Sequence, residues 1–433
     1  MTSVVGIMNK HGVAIAADSA VTRGRWKQGF KQQKVTKNGN KMVRLCEDVP
    51  VAVMITGSAD YLGTPWEVIV RRYRQQRGHI EHSTVEDASR DFFAFIQSDP
   101  VFWGADCDEG FLLWLTERTF DGIVHGVGDT NERSIDGNLF RPKAFVRSFQ
   151  RVSASLQRKF EKGGICPQFE DYSLAQFRVA AEKIIGSFLQ QKEEDDDDEE
   201  RYSEAVLNEI RPSLEEAVWA RIRTRCDDIP SARLIFAGYG SDQVYPSIVS
   251  ALVCEGFDRH VNYHIRPEDI VCIGNNRPVA ICPFAQVDVI KSILRGIHTD
   301  WSESALDVFH RIVNPYYGFL VKPLSGEEEP GTEFRKMLAE VETEDLERQF
   351  CKEGMRLLDK NQREWEKSLK DCDLETLASL ADCLIDLTGF HRILTFSQEG
   401  VGGPVDVAVI SKNDGFTWLR RKSWYHKDGP MGI

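Results

Sequence analysis

The first seventeen residues of the chain commit it to an antiparallel hairpin. Val4-Val5-Gly6-Ile7-Met8 and Val13-Ala14-Ile15-Ala16-Ala17 are short apolar runs, and Asn9-Lys10-His11-Gly12 between them carries turn chemistry. Neither run alternates cleanly, which predicts strands covered on both faces. Termini fray unless something ties them down, so a pattern starting at Val4 places the start of the chain inside the structure. Opposed residues in such a hairpin share a nearly constant index sum, and a turn centred between Lys10 and His11 makes that sum about 21. Thr2 then faces Ser19, with Asp18 diagonally adjacent. A hydroxyl, an α-amine and a carboxylate are brought together by local geometry. Asp also commonly ends strands, so the hairpin alone leaves Asp18 open between a strand terminator and a functional group.

Further strands are predicted at Lys41 to Cys46 and Val51 to Thr56, with Arg23 to Asn40 read as a basic loop holding short extended pieces. Ala59 to Gln76 reads as a helix, and Ser83-Thr84-Val85-Glu86 as the capped start of a second one running to Gln97. Phe111 to Thr116 and Gly122 to Val127 read as strands, and Arg147 to Arg225 as mainly helical. Leu234 to Ala237 reads as a strand entering "AGYGSD", followed by a helix from about Pro246 to Glu255. Helices are expected over Phe284 to Gly296, Ser302 to Val313 and Glu333 to Phe390, the last dividing near Lys370 to Asp373. Val405 to Ser411 and Phe416 to Arg421 form a final strand pair. Strands and helices thus come in separate runs, which favours α+β layers over a doubly wound parallel sheet.

At 433 residues the chain has room for two or three domains, or for one large domain with insertions. Its net charge of −13 argues against a nucleic-acid or anionic-membrane binder, since both need a basic face. Glu193 to Glu200 is an unbroken acidic run, read as a solvated loop. The ten cysteines show no metal spacing, and neither an export signal nor a membrane span is visible. Reduced thiols in a cytoplasmic protein are the expectation. His260 and His264 stand on a strand-like segment, about 13 Å apart, too far to share a metal. With no P-loop or dinucleotide motif either, no cofactor and no metal are expected.

Four segments, in order, carry a family resemblance. "TSVVGIMNKHGVAIAADSAVT", Thr2 to Thr22, resembles the start of mature proteasome β-subunits and of the bacterial proteasome-like peptidase, which are threonine-type N-terminal nucleophile (Ntn) hydrolases. "NKMVRL", Asn40 to Leu45, is similar to the stretch where the family places its lysine. "VMITGSAD", Val53 to Asp60, is similar to the turn leading into the family's first helix, and "GGPVDVAVISKNDGF", Gly402 to Phe416, to its C-terminal hairpin. "AGYGSD", Ala237 to Asp242, is a weaker match to a glycine-serine turn before the third helix.

The resemblance implies that removal of Met1 exposes Thr2, whose Oγ1 attacks an amide carbonyl while its own α-amine takes the proton. The reference pKa of an α-amine, about 7.7–8.0, suits a base working near neutrality. It further implies Lys41 as the cation beside Oγ1, Asp18 as the partner that holds it, and the Gly57 N–H as an oxyanion donor. Lys34 and Lys37 rival Lys41: counting from Thr2 favours Lys34, and the "KMVRL" context favours Lys41. Taken alone, Gly57 also reads as a plain turn glycine. The family's supporting serine in the glycine turn is Tyr239 here, with Ser241 two residues on. Its aspartate and serine before "GG" correspond to Gln398-Glu399-Gly400-Val401, where Glu399 supplies a carboxylate only with a one-residue shift. Ser19 is a further candidate beside Asp18.

The implied fold is a four-layer αββα sandwich with a core from 1–127, 232–265 and 378–425 and helical insertions at 128–231 and 266–377. The implied function is hydrolysis of peptide or other amide bonds by a homo-oligomer, with no recognisable segment for an ATPase partner. The competing reading is a catalytically inactive scaffold or binding protein of the same fold.

Overall fold

A computed structural model describes residues 3–27, 30–36, 39–103, 108–129, 142–194, 202–225, 229, 231–296, 304–311, 343–395 and 403–422. Thr2, Glu399, Val401 and residues 195–200 of the acidic run lie outside the described residues. The chain divides into two compact units, one of Met1–Thr22, Lys34–Gly39 and Cys272–Ile433, the other of Arg23–Gln33 and Asn40–Val271.

Strands β1 (Val4–Asn9) and β2 (Gly12–Ala17) form the expected hairpin, pairing Val4 with Ala17 and Asn9 with Gly12. The index sum of about 21 is therefore the register found. At the turn, Asn9 Oδ1 accepts the His11 N–H at 2.9 Å. Gly12 is required by close approach, since an added Cβ would lie 2.3 Å from the Ile410 carbonyl oxygen. Strands β3 (Val21–Lys27) and β4 (Phe30–Thr36) pair with each other, in a stretch read from sequence as a loop with short extended pieces.

The second unit continues with β5 (Met42–Arg44), β6 (Val51–Gly57), and the two-residue strands β7 (Asp60–Tyr61) and β8 (Thr64–Pro65). Helix α1 (Trp66–Arg77) begins only after this small turn, with Pro65 as its N-cap, so the helix predicted from Ala59 starts later. Helix α2 (Val85–Ser98) has the expected capped start, one residue later than the Ser83–Glu86 pattern suggests, with Thr84 as N-cap and Asp87 closing a capping box. Helix α3 (Asp108–Asp129) replaces the two strands predicted at 111–116 and 122–127. Its buried positions Leu112, Leu115, Thr116, Thr119, Phe120 and Ile123 recur at three- and four-residue spacing, a helical period that outlasts either short strand-like window.

Helices α4 (Pro142–Glu161), α5 (Leu174–Glu194) and α6 (Glu204–Ile222) follow, as the helical reading of 147–225 expects. Then come β9 (Ser231–Gly238), β10 (Ser247–Phe257), β11 (His260–His264) and β12 (Ile270–Cys272). The helix predicted over 246–255 is β10, a central strand. Its continuous apolar run is buried on both faces, and such a run fits either period.

The first unit resumes with β13 (Val279–Phe284), α7 (Val287–Arg295), α8 (304–311), α9 (Thr343–Leu369), α10 (Leu374–Leu394), β14 (Asp406–Ser411) and β15 (Gly415–Arg420). Its sheet runs β13-β1-β2-β14-β15, so β13, within the stretch 266–377, is the edge strand beside the N-terminal hairpin. The second unit's sheet runs β11-β10-β9-β6-β5, and neighbours along both orders pair antiparallel. This is a mixed α and β protein with antiparallel sheets.

In the first unit, α10 sets Leu377, Ala381, Leu384 and Ile385 against Val5, Ile7, Ala14, Ala16, Val407 and Val409. The opposite face, including Val4, Met8, Val13 and Ile15, is buried as well. In the second unit, Trp66, Ile69, Tyr73, Phe92 and Phe93 of α1 and α2 pack on Val51, Val53, Ile55 and Phe236. Each such buried side chain contributes about 1.5–3 kcal/mol. Helices α3 to α6 share a separate aromatic cluster around Phe120, Phe149 and Phe177. No described helix is long and apolar enough to cross a membrane, and the eight described cysteines are free.

Candidate active site

The hairpin carries Asp18 to the N-terminal strand. One step beyond the Val4–Ala17 pair, the Asp18 N–H donates to the Ser3 carbonyl at 3.1 Å. The Asp18 side chain bends back along the same pair, and its Oδ1 accepts the Ser3 N–H at 2.8 Å. Asp18 is only 2% exposed. A carboxylate is costly to bury unless donors meet it, and a bond to an ionised oxygen is among the stronger kinds. The amide that follows Thr2 in the sequence is thus gripped by a buried carboxylate.

Ser19 lies one residue further, and its Oγ donates to the Pro404 carbonyl at 2.6 Å. The Ser19 carbonyl accepts the Gly39 N–H at 2.9 Å. On the neighbouring strand Asp406 pairs with Ala17, so Ser3, Asp18 and Asp406 share one end of β1, β2 and β14. Lys422, fully buried beyond β15, reaches this end: its Nζ donates to Asp406 Oδ2 at 3.0 Å, to the Gly39 carbonyl at 2.6 Å and to Ser19 Oγ at 3.4 Å. Asp406 Oδ1 accepts the Lys422 N–H at 2.9 Å. Sequence reasoning missed Lys422, because "RRK" after a last strand reads as an ordinary basic surface. Asp406 was visible only as part of "DVAVI".

The same end of the sheet meets a backbone anomaly. Val4 pairs with Phe284, and the next two residues, Ala285 and Gln286, have φ of 54° and 51° before α7 begins. Two consecutive non-glycine residues in the left-handed region are uncommon and cluster at functional sites. Nothing in the sequence marks them, since neither is Gly, Asn or Asp.

Within the second unit, Lys41 and Gly57 also come to one end of a strand pair. Lys41 is 4% exposed, and its carbonyl accepts the Ile55 N–H at 2.8 Å, two residues before Gly57. Gly57 has φ of +83°, and an added Cβ would stand 2.4 Å from the Ser231 carbonyl oxygen. No other residue fits there without strain. The turn that follows is held from β10: the Leu62 N–H, on a residue with φ of 47°, donates to Glu255 Oε2 at 2.6 Å. Burial pushes the Glu255 carboxyl up to about 8, with Asp60 adding to the rise and the Leu62 bond opposing it.

Ser241 stands apart from these residues. Its turn follows Gly238, which pairs with Val51, while Gly57 pairs with Ala232 at the other end of β6. That separation is about 20 Å at strand rise. The Ser241 N–H donates to the His82 carbonyl at 2.9 Å, fastening the turn to the α1–α2 connection instead. The turn leads into β10 and not a helix, so the weak match of "AGYGSD" to a turn before a third helix does not hold. Tyr239 in the same turn is buried, its hydroxyl pushed up to about 12 by burial. Burial also pushes the thiols of Cys46 and Cys282 up to about 12 and that of Cys166 to about 11, the opposite of an activated nucleophile.

No protein-family model matches the chain, and no curated protein sequence is significantly similar to it. No group of three or more potential ligands for a metal ion occurs among the described residues.

Proposed function

We propose that the protein is a threonine-type Ntn hydrolase that cleaves peptide or other amide bonds, with Thr2 as nucleophile after removal of Met1. The observation that carries this reading is the buried Asp18 carboxylate on the Ser3 amide, in the register that faces the start of β1 toward the end of β2. Thr2, freed by removal of Met1, attacks the substrate carbonyl through Oγ1 and passes its proton to the α-amine. The C–N bond breaks as the amine leaves with that proton, and water then hydrolyses the ester to return Thr2. In this reading Lys41 favours the forming alkoxide, Asp18 orients the groups around Thr2, and the Gly57 N–H meets the oxyanion, one such donor being worth about 3 kcal/mol. The tight fit of Gly57 and the burial of Lys41 support those roles. A four-layer αββα sandwich belongs to the same proposal. Strands of both sheets that are buried on both faces support it, as does a helical layer on each. A cytoplasmic homo-oligomer completes it.

The mass of the intact protein from its native host is the test. Loss of Met1, labelling of Thr2 by a β-lactone or epoxyketone probe, and no labelling of Thr2→Ala are expected. Full retention of Met1 would end the hydrolase reading and leave the inactive scaffold.

A further inference from the structure

Lys422 raises a physical question that the proposed chemistry leaves unused. Its ammonium is fully buried and Asp406 is 5% exposed at the side chain. Replacing a buried ion pair by apolar groups of similar volume is often neutral or stabilising, so such a pair is weak evidence for stability. What the pair does supply is direction. The three protons of the ammonium have three acceptors on separate segments: Asp406 at the start of β14, Gly39 two residues before Lys41, and Ser19 directly after Asp18. The Ser19 hydroxyl gives its own proton to Pro404, and the second Asp406 oxygen takes the Lys422 amide. Each member is satisfied, the condition under which a buried polar network rigidifies its surroundings.

We infer that Lys422 and Asp406 are positioning residues for the N-terminal site. Resting on the threonine-hydrolase reading, the inference is that the pair ties the strand end bearing Asp18 to Gly39 and to the start of β14. Lys422 acts through Ser19 and Gly39.

The test compares the full-length wild type with Lys422→Met, Lys422→Arg and the double variant Lys422→Met with Asp406→Leu. Melting temperature, amide exchange at Ser3 and Asp18, and the rate and pH profile of Thr2 labelling are read on each. Lys422→Met leaves a buried carboxylate alone and is expected to melt lower. The double variant removes both charges and is expected to recover the melting temperature. Its Ser3 and Asp18 amides should still exchange faster while the middle of β2 stays protected. Its labelling should run up to about 100-fold slower, the scale of a small misplacement, with a displaced pH profile. Lys422→Arg should recover part of the rate. A double variant with wild-type exchange at Ser3 and Asp18 overturns the inference, whatever its labelling does. Wild-type labelling in the double variant overturns it too. Absence of labelling in Met1-free wild type overturns the hydrolase reading, and the exchange measurement then judges the structural part by itself.

Discussion

Glu255 makes the stability of the second unit depend on pH in a direction unusual for a carboxylate. Its pKa rises from an ordinary 4.5 to about 8 on folding, mainly by burial. The folded state therefore holds a proton that the unfolded chain has already lost. The stabilisation is complete below the unfolded value and disappears as pH rises through the folded one. Well below pH 8 the slope is about 1.4 kcal/mol per pH unit. Integrated from pH 6 to pH 9 the loss is about 2.5 kcal/mol, reduced to about 1.5–2.5 kcal/mol by solvent at the partly exposed edge of the side chain. For a unit of this size that is a fall in Tm of about 3–10 °C. Glu255→Gln supplies the matched control, because Gln stays neutral and keeps an oxygen for the Leu62 N–H. Differential scanning fluorimetry of both proteins from pH 6 to pH 9 cancels all other titrations common to the two. The wild-type curve should fall away from that of the variant steadily from pH 6, with about half of the loss reached by pH 7, and run parallel to it above about pH 8.5. Parallel curves across the range would refute the argument, since the carboxyl would then titrate alike in both states.

Gly57→Ala should destabilise by about 2–5 kcal/mol in urea unfolding, from left-handed strain and a Cβ driven against the Ser231 carbonyl; a loss under 0.5 kcal/mol would show that the turn relaxes freely. Asp18→Asn keeps an acceptor for the Ser3 N–H but removes its charge, so the cost should be about 1–1.5 kcal/mol in melting. The same variant should slow Thr2 labelling by about 100-fold, as the loss of an orienting group does, and wild-type labelling would remove Asp18 from the mechanism.

The hairpin was legible because everything that determines it is local. Turn residues at 9–12 set the register, and the register sets which residue faces Ser3. The capped start of α2 was legible for the same reason, although its N-cap is Thr84 and its box closes on Asp87. Helix α3 and strand β10 were misread in opposite senses. Both are dense apolar runs, and what decides between them is the neighbour: β10 lies between β9 and β11, and α3 packs among helices. Among the candidate residues, Asp18, Lys41 and Gly57 stood out through motif context. Lys422 could not, because its partners are 16 to 403 positions away in sequence. The left-handed pair Ala285–Gln286 was equally hidden, since the cost of that backbone is met by the tertiary fold and not by residue choice.

The sheet of the first unit is sewn together from segments far apart in sequence: the hairpin of residues 4–17, an edge from 279–284 and a closing pair from 406–420. During vectorial synthesis β2 leaves the ribosome directly after β1 and keeps an unpaired edge until β14 is made, nearly 400 residues later. At about 5–20 residues per second that wait is about 20–80 s. The Lys422–Asp406 knot behind Asp18 forms later still. A nascent chain that has not yet reached residue 422 therefore has the start of its hairpin but not the support around it. An open β2 edge in the interim is also a template for pairing between chains, which makes loss of β14 and β15 a route to aggregation.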